Sequence, residues 1–293
     1  MVSVIIPAYN EGAVIARFLR AVLASAVPDG LEVIVVCNGC TDETAAIASQ
    51  FGPPVRVIET DIAGKTHALN LGDQAASSFP RIYADADVVI TSQVISALVD
   101  RLQGGDVLAV APSPAIDLTG CSRLVRAYYE VRARLPSARE GIGGSGVYAL
   151  SEAGRRRFGE FPNVIADDGY VRLQFKSHER ETLKDARSIV FAPRTVRDLL
   201  RIRIRTYAGT IELARHFPEL WANRGESNHG AVIRLLRSLH LWPKLLVYYY
   251  VNIIARWQSL APFRRRTARW ERDNTSRTVA AETALGDDPC SLR

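Results

Sequence analysis

Short apolar runs alternate with helically spaced segments through the first 111 residues, and this alternation restricts the fold more than any other feature of the chain. The runs are Val2–Pro7, Leu31–Val36, Val55–Ile58, Arg81–Ala84 and Val107–Ala111. Between them lie segments with the period of an amphipathic helix: Glu11–Leu23, Asp42–Phe51 with Thr41 as its cap, Lys65–Ala76 and Ser92–Leu102. In the first of these Val14, Ile15, Phe18, Leu19 and Val22 share one face. Leu31–Val36 has the apolar character of a parallel strand covered on both sides. The pattern predicts an α/β, Rossmann-like, mostly parallel sheet flanked by helices, with ligands beyond the carboxyl ends of the strands.

The order changes after Gly120. Helices are expected over Ser122–Leu135, Ser151–Phe158 and Asp168–Phe175, with a glycine-rich loop at Gly141–Gly146, a short strand at Val147–Leu150 and strand with turns over Glu181–Phe191. A basic helix follows at Arg194–His216, then a long apolar helix at Ala231–Leu260 interrupted near Pro243. The expected organisation is a catalytic domain over 1–193, with halves at about 1–111 and 112–193. A helical basic and apolar extension would cover 194–272, and 273–293 would be a polar, disordered tail.

The charge is uneven. Arg194 to Arg272 holds sixteen Lys/Arg against five Asp/Glu, a net +11 that leaves −5 on the rest of a chain whose total is +6. Such a segment calls for an anionic neighbour or a solvated surface, and charge alone leaves phosphate-rich substrate, anionic lipid and nucleic acid open. Cys37 and Cys40 form a CxxC with no second pair to complete a zinc site, so they are expected as small residues ending a buried strand. No signal peptide precedes Val2, which together with unpaired cysteines points to a cytoplasmic protein.

Two acidic pairs could carry chemistry. Asp85 and Asp87 follow a strand, and on an extended chain residues i and i+2 point the same way. Adjacent carboxylates repel unless a cation separates them, which suits Mg²⁺ or Mn²⁺ shared with substrate phosphates; a solvated acidic turn is the alternative. Asp167 and Asp168 open a helix, where they either satisfy its first amides or supply a general base. Gly64-Lys65-Thr66 is not a phosphate loop, because Glu59 stands where that motif needs glycine. Gly141–Gly146 matches a dinucleotide fingerprint but lacks the strand before and the helix after it.

Five ordered segments together resemble the family 2 glycosyltransferases of GT-A fold over roughly residues 2–215. They are Val4-Ile5-Ile6-Pro7-Ala8-Tyr9-Asn10-Glu11, Val35–Asp42, Gly64–Asn70, Asp85-Ala86-Asp87, and Asp167-Asp168 with Arg172. The resemblance implies that Pro7, Tyr9, Glu11 and Asn38 line the base and ribose pocket and that Lys65 lies near the diphosphate. Asn38 stands where the family usually has aspartate. It further implies Asp85 and Asp87 at a divalent metal, Asp87 being the direct ligand, Gly143 and Gly144 on the acceptor side, and Asp168 as base beside Asp167. Arg201, Arg203 and Arg205 resemble the arginine-rich stretch after the catalytic domain and are either diphosphate contacts or one solvated helix face; the Gln and Trp of processive members are missing.

The implied activity is an inverting, metal-dependent transfer of a sugar from a nucleotide-diphosphate donor to an acceptor hydroxyl, lipid-linked or in polysaccharide synthesis. The alternatives are a nucleotidyltransferase acting on a sugar phosphate and a degenerate nucleotide-sugar binding protein. Nucleic acid is not expected as a partner, because no recognition motif accompanies the basic stretch. The aromatic segment Leu239–Trp257 with its basic flanks suits either an interfacial helix on the cytoplasmic face of an anionic membrane or a helix packed on the catalytic domain.

Overall fold

The computed structural model describes residues 1–27, 30–225 and 228–260; the expected tail at 273–293 and the basic residues Arg264, Arg265 and Arg266 lie outside them. The strands are β1 (Val2–Ala8), β2 (Leu31–Asn38), β3 (Val55–Thr60), β4 (Arg81–Ala84), β5 (Ala109–Asp117), β6 (Val147–Leu150) and β7 (Arg180–Phe191). The helices are α1 (Ile15–Leu23), α2 (Thr44–Ser49), α3 (Lys65–Ala75), α4 (Ser92–Gln103), α5 (Arg123–Arg132), α6 (Glu152–Arg155), α7 (Asp167–Leu173), α8 (Val196–His216), α9 (His229–Leu235) and α10 (Trp242–Ser259).

All seven strands join one sheet in the order β3-β2-β1-β4-β6-β5-β7. The pairs β1–β2, β2–β3, β1–β4 and β5–β7 are parallel, whereas β6 runs antiparallel to both β4 and β5. Because successive side chains point to opposite faces, each strand feeds two cores. Val4, Ile6, Val33 and Val35 pack with Phe18 and Leu19 of α1 and Ile95 and Leu98 of α4. Ile5, Ile34 and Val36 pack on the other face with Leu69 of α3 and Val171 of α7. A third core, around Val125, Tyr128, Leu199 and Val251, joins α5, α8 and α10.

Several expected elements shift for identifiable reasons. α1 begins at Ile15, because Glu11–Val14 forms a turn whose carbonyl at Glu11 accepts from Val14 N and Ile15 N. Thr41 does not cap α2; Asp42 does that work, its Oδ1 accepting from Thr44 N at 3.1 Å. α6 is only 4 residues long. β5 extends to Asp117 because it pairs with β7 along its whole length. The long apolar helix is two helices, and Pro243 opens the second instead of interrupting it, since proline fits the first helical turn, where its missing N–H costs nothing. Among the described residues no helix is long and apolar enough to cross a membrane.

Candidate active site

The loops after β1 and β2 lock together. Asn10 adopts a left-handed conformation (φ 52°), which asparagine tolerates better than most residues, and its Oδ1 accepts from Thr41 N at 2.7 Å. Thr44 Oγ1 accepts from Glu11 N at 2.8 Å, and Asp42 Oδ2 from Gly12 N at 3.1 Å. Cys37 and Cys40 are free thiols; Cys40 Sγ accepts from Asn10 N, so the CxxC ties the same loops together. The Cys37 neighbour, more than any other group, pulls the Cys40 thiol down to about 6.

Asn38 is buried at the end of β2. Its amide donates to Ala8 O at 2.7 Å and accepts from Gly64 N at 3.0 Å. It therefore fastens the end of β1 to the start of α3. The start of α3 is Lys65, and its ammonium reaches both acidic pairs: 2.7 Å to Asp85 Oδ1 and 3.1 Å to Asp167 Oδ2. Burial works against that charge, but Asp167, Asp85 and Asp168 outweigh it and hold the lysine protonated well above its usual range.

These groups line one small cleft, open to solvent, at the carboxyl ends of the central strands β1 and β4, together with Pro7, Tyr83, Gly143, Gly146 and Tyr148. Of the residues expected from the sequence, the cleft gathers Pro7, Lys65, Asp85, Gly143, Asp167 and Asp168; Tyr9, Glu11, Asn38, Asp87 and Gly144 do not line it. Asp87 differs from expectation because the chain is not extended here: Val88 N turns back toward Asp85 O, and Asp87 O accepts from Arg17 Nη2 at 3.1 Å. The equivalence of i and i+2 holds only on a strand, and β4 ends at Ala84.

Asp167 and Asp168 begin α7 but play different parts. Asp167 is buried, and burial, reinforced by Asp168 and Asp85 and opposed by Lys65, pushes its carboxyl up to about 6. Asp168 is half-buried; its Oδ1 accepts from Gly169 N, and its Oδ2 lies 3.8 Å from the point where a β-carbon on Gly143 would sit. The loop opposite needs glycine: Gly146 has φ +67°, and a β-carbon there would lie 2.5 Å from Val88 Cγ1. α8 supports the α7 turn from behind, where Gly209 lets it approach so closely that a β-carbon would meet that of Ala166 at 2.8 Å.

None of Arg201, Arg203 and Arg205 lines the cleft. Arg201 pairs with Asp198 at 2.9 Å, and Arg203 lies over the Tyr207 ring at 4.9 Å beneath α10. Nor do they form one solvated face, because α10 covers Arg203 while Arg205 is exposed.

The cleft floor contains residues the sequence did not single out. Tyr83 and Tyr148 stack at 5.0 Å. The Tyr83 hydroxyl donates to Asp73, whose carboxylate is also held by Arg81 and Arg155 at 2.7 and 2.8 Å. Those donors outweigh burial and hold the Asp73 carboxyl below its usual range. No spacing signal links residues 73, 81 and 155; only the packing of α3, β4 and α6 does.

The site suits a divalent cation. Three carboxylates share the cleft with Lys65 as the counter-charge that the cleft itself supplies, which leaves excess negative charge there. Of the first acidic pair, Asp85 lines the cleft and Asp87 does not, and among the described residues no three ligating side chains form a ready cage.

The family model for glycosyl transferase family 2 matches residues 3–151. Glycosyltransferase AglD of Haloferax volcanii is 34% identical over 113 residues, which is 36% of this chain and 18% of that protein. The 4,4'-diaponeurosporenoate glycosyltransferase of Staphylococcus aureus is 34% identical over 106 residues, 34% of this chain and 28% of its own length. The fold resembles a mannosyltransferase from Pyrobaculum calidifontis solved with GDP-Man and Mn²⁺ (TM-score 0.58, 24% identity, covering 97% of this chain and 79% of that one). It also resembles glucosyl-3-phosphoglycerate synthase from Mycobacterium tuberculosis, solved with Mn²⁺, UDP-glucose and phosphoglyceric acid (TM-score 0.54, 22% identity, 73% and 79% covered).

Proposed function

The chain belongs to glycosyl transferase family 2, and on that premise we propose that it moves a sugar from a nucleotide-diphosphate donor to an acceptor hydroxyl with inversion at the anomeric carbon. The observation that carries this reading is the meeting of Asp85 with Asp167 and Asp168 around one cleft, with Lys65 between Asp85 and Asp167 and Asp168 facing Gly143. The donor's diphosphate lies at the Lys65 end. Asp85 and Asp87 would hold a divalent ion, which would supply charge stabilisation to the leaving diphosphate; two structural relatives were solved with Mn²⁺.

Asp168 takes the acceptor's hydroxyl proton as that oxygen bonds to the anomeric carbon. The bond from that carbon to the diphosphate oxygen breaks on the opposite side, and its electron pair leaves with the nucleotide. Asp167, paired with Lys65, keeps the ammonium aimed into the cleft. The test is a screen of nucleotide sugars for release of nucleoside diphosphate. Release with one donor that stops on chelation supports the reading. A donor bound and never consumed would leave a nucleotide-sugar binding protein, and release of pyrophosphate from a nucleoside triphosphate would favour the nucleotidyltransferase alternative.

A second reading concerns α10. Trp242, Leu246, Tyr249, Tyr250, Ile253, Trp257 and Leu260 recur at helical spacing and are exposed, Leu246 and Trp257 at 72% and 71%, while Leu245, Val251 and Ala255 pack inward. Aromatic residues beside exposed Arg234 and Arg237 suit the interface of an anionic membrane. Co-sedimentation with anionic vesicles at low salt, abolished by Leu246→Ser with Trp257→Ser, is expected; an unbound wild-type chain would exclude the peripheral association.

A further inference from the structure

Beside the catalytic cleft lies a second hollow, with about 1970 Å³ of empty space open to solvent. Seven arginines and lysines, and His178, line it against two carboxylates. Both carboxylates already have partners: Glu140 pairs with Arg172, and Glu181 with Arg101 at 2.7 Å. Arg139, Lys176 and Arg234 line the hollow with no ion-pair partner among the described residues. Deeper in, Arg180 Nη1 donates to three carbonyls, Arg172 O, Phe175 O and Asn223 O, at 2.9, 2.7 and 2.9 Å, and meets no carboxylate there. Burial and then the Arg172 charge hold the Arg180 guanidinium below its usual range. A cluster of like charges this dense is stabilised by an anion placed among them.

The hollow and the cleft are neighbours. Gly141 lines the hollow and Gly143 the cleft, so one short loop borders both. Arg172 lines the hollow, and its Nη1 lies 4.0 Å from the β-carbon position of Gly143, the point that Asp168 Oδ2 approaches to 3.8 Å. We propose that this hollow binds a phosphate group of the acceptor, so that the acceptor is a phosphorylated hydroxyl compound whose free hydroxyl reaches Asp168 past Arg172. Guanidinium forks match phosphate oxygens two at a time, whereas a neutral polyol would leave this charge unanswered. The hydroxyl's delivery to Asp168 rests on the transferase reading; the phosphate site rests on the hollow's own charge and shape. The phosphate could belong to a soluble ester or to a lipid headgroup, and Arg234 sits on α9 beside the exposed Ile233 and Leu236.

Calorimetric titration of inorganic phosphate into the full chain tests the site directly. Arg139→Glu, Lys176→Glu and Arg234→Glu combined should weaken phosphate binding at least about tenfold, as expected for lost charge-assisted hydrogen bonds. Lys176→Glu alone should weaken it in the same direction, and Arg20→Glu on the exposed side of α1 should leave it unchanged. Affinity for nucleoside diphosphate in the triple variant should stay within about twofold, since charge this far from the Lys65 end is screened. Consumption of nucleotide sugar is then followed with glycerol 3-phosphate, phosphatidylglycerol vesicles, glycerol and diacylglycerol vesicles. Stimulation confined to one phosphate-bearing arm is expected and identifies the source. Equal phosphate binding by wild type and triple variant, no phosphate binding at all, or equal stimulation by glycerol overturns the proposal. If phosphate binding behaves as expected and no nucleotide sugar is ever consumed, the phosphate site stands and the transferase reading falls.

Discussion

The cleft and the basic hollow beside it carry opposite charge and are assembled differently. In the cleft, carboxylates outnumber Lys65, and the walls come from the ends of the adjacent parallel strands β1 and β4, from β6 and from the starts of α3 and α7. Asn10 with Thr41 and Glu11 with Thr44 join positions 31 and 33 residues apart, one strand–helix unit away. In the hollow, cations outnumber carboxylates, and the walls come from segments far apart along the chain. Gly141 N bonds Thr182 Oγ1 across 41 positions, and Asn228 Nδ2 bonds Ser137 Oγ across 91. The difference teaches that neighbouring strand–helix units can lock their loops from local pieces, while the hollow depends on how distant segments are brought together.

The sharpest way to break this comparison is at Asp168, which lines the cleft on the side where Arg172 of the hollow approaches Gly143. Asp168→Asn should lower turnover by about 10²–10⁴ while leaving nucleoside diphosphate affinity intact, because only the acceptor's proton transfer is lost. Steady-state kinetics beside equilibrium nucleotide binding would show it; near-normal turnover in a folded variant removes the base assignment.

The next largest effect lies in the ion cluster behind Tyr83 of the cleft. Asp73→Ala leaves Arg81 and Arg155 without their buried counter-ion, and loss of one partner from such a cluster costs about 3–5 kcal/mol. Urea unfolding measures it. Removing Glu130 from its more exposed pair with Lys244 should cost less than about 1 kcal/mol in the same assay.

The smallest effect is a pH limb. Asp167 must be ionised to pair with Lys65, so kcat/KM should fall as pH drops through about 6, and Asp167→Asn should lose that limb. For stability the sign is opposite. The folded chain holds this proton more tightly than the unfolded chain, whose carboxyl has the ordinary 3.8, so Asp167 makes the fold less stable as pH rises from about 3.8 to about 6. Thermal melts of the wild type and Asp167→Asn across that window would separate this group from the other carboxylates.

Legibility in the sequence followed the same divide. Strands β1 to β4 and the helices between them were readable because a parallel unit carries its own signal: an apolar run, a turn, an amphipathic period. Lys65, Asp85, Asp167 and Asp168 were identified before any geometry, and the structure brings them to one cleft. Asp87 was placed by a strand rule in a turn. Arg203 looked like a free cation and lies beneath α10, because a basic helix does not announce which of its faces will be covered. Asp73, Tyr148 and the basic hollow carried no local pattern.

By itself the sequence determined the alternation that makes the sheet, the glycines that let the loop at 143–146 close on Asp85 and Asp168, and the acidic residues available to the site. Periodicity and side-chain chemistry act over a few residues and need no partner. Only the tertiary structure decided that Lys65 bridges both acidic pairs, that β6 enters the sheet reversed, and that cations from α7, α9 and β7 surround one hollow. Charges interact through distance in space, and for segments so far apart along the chain that distance is set by packing.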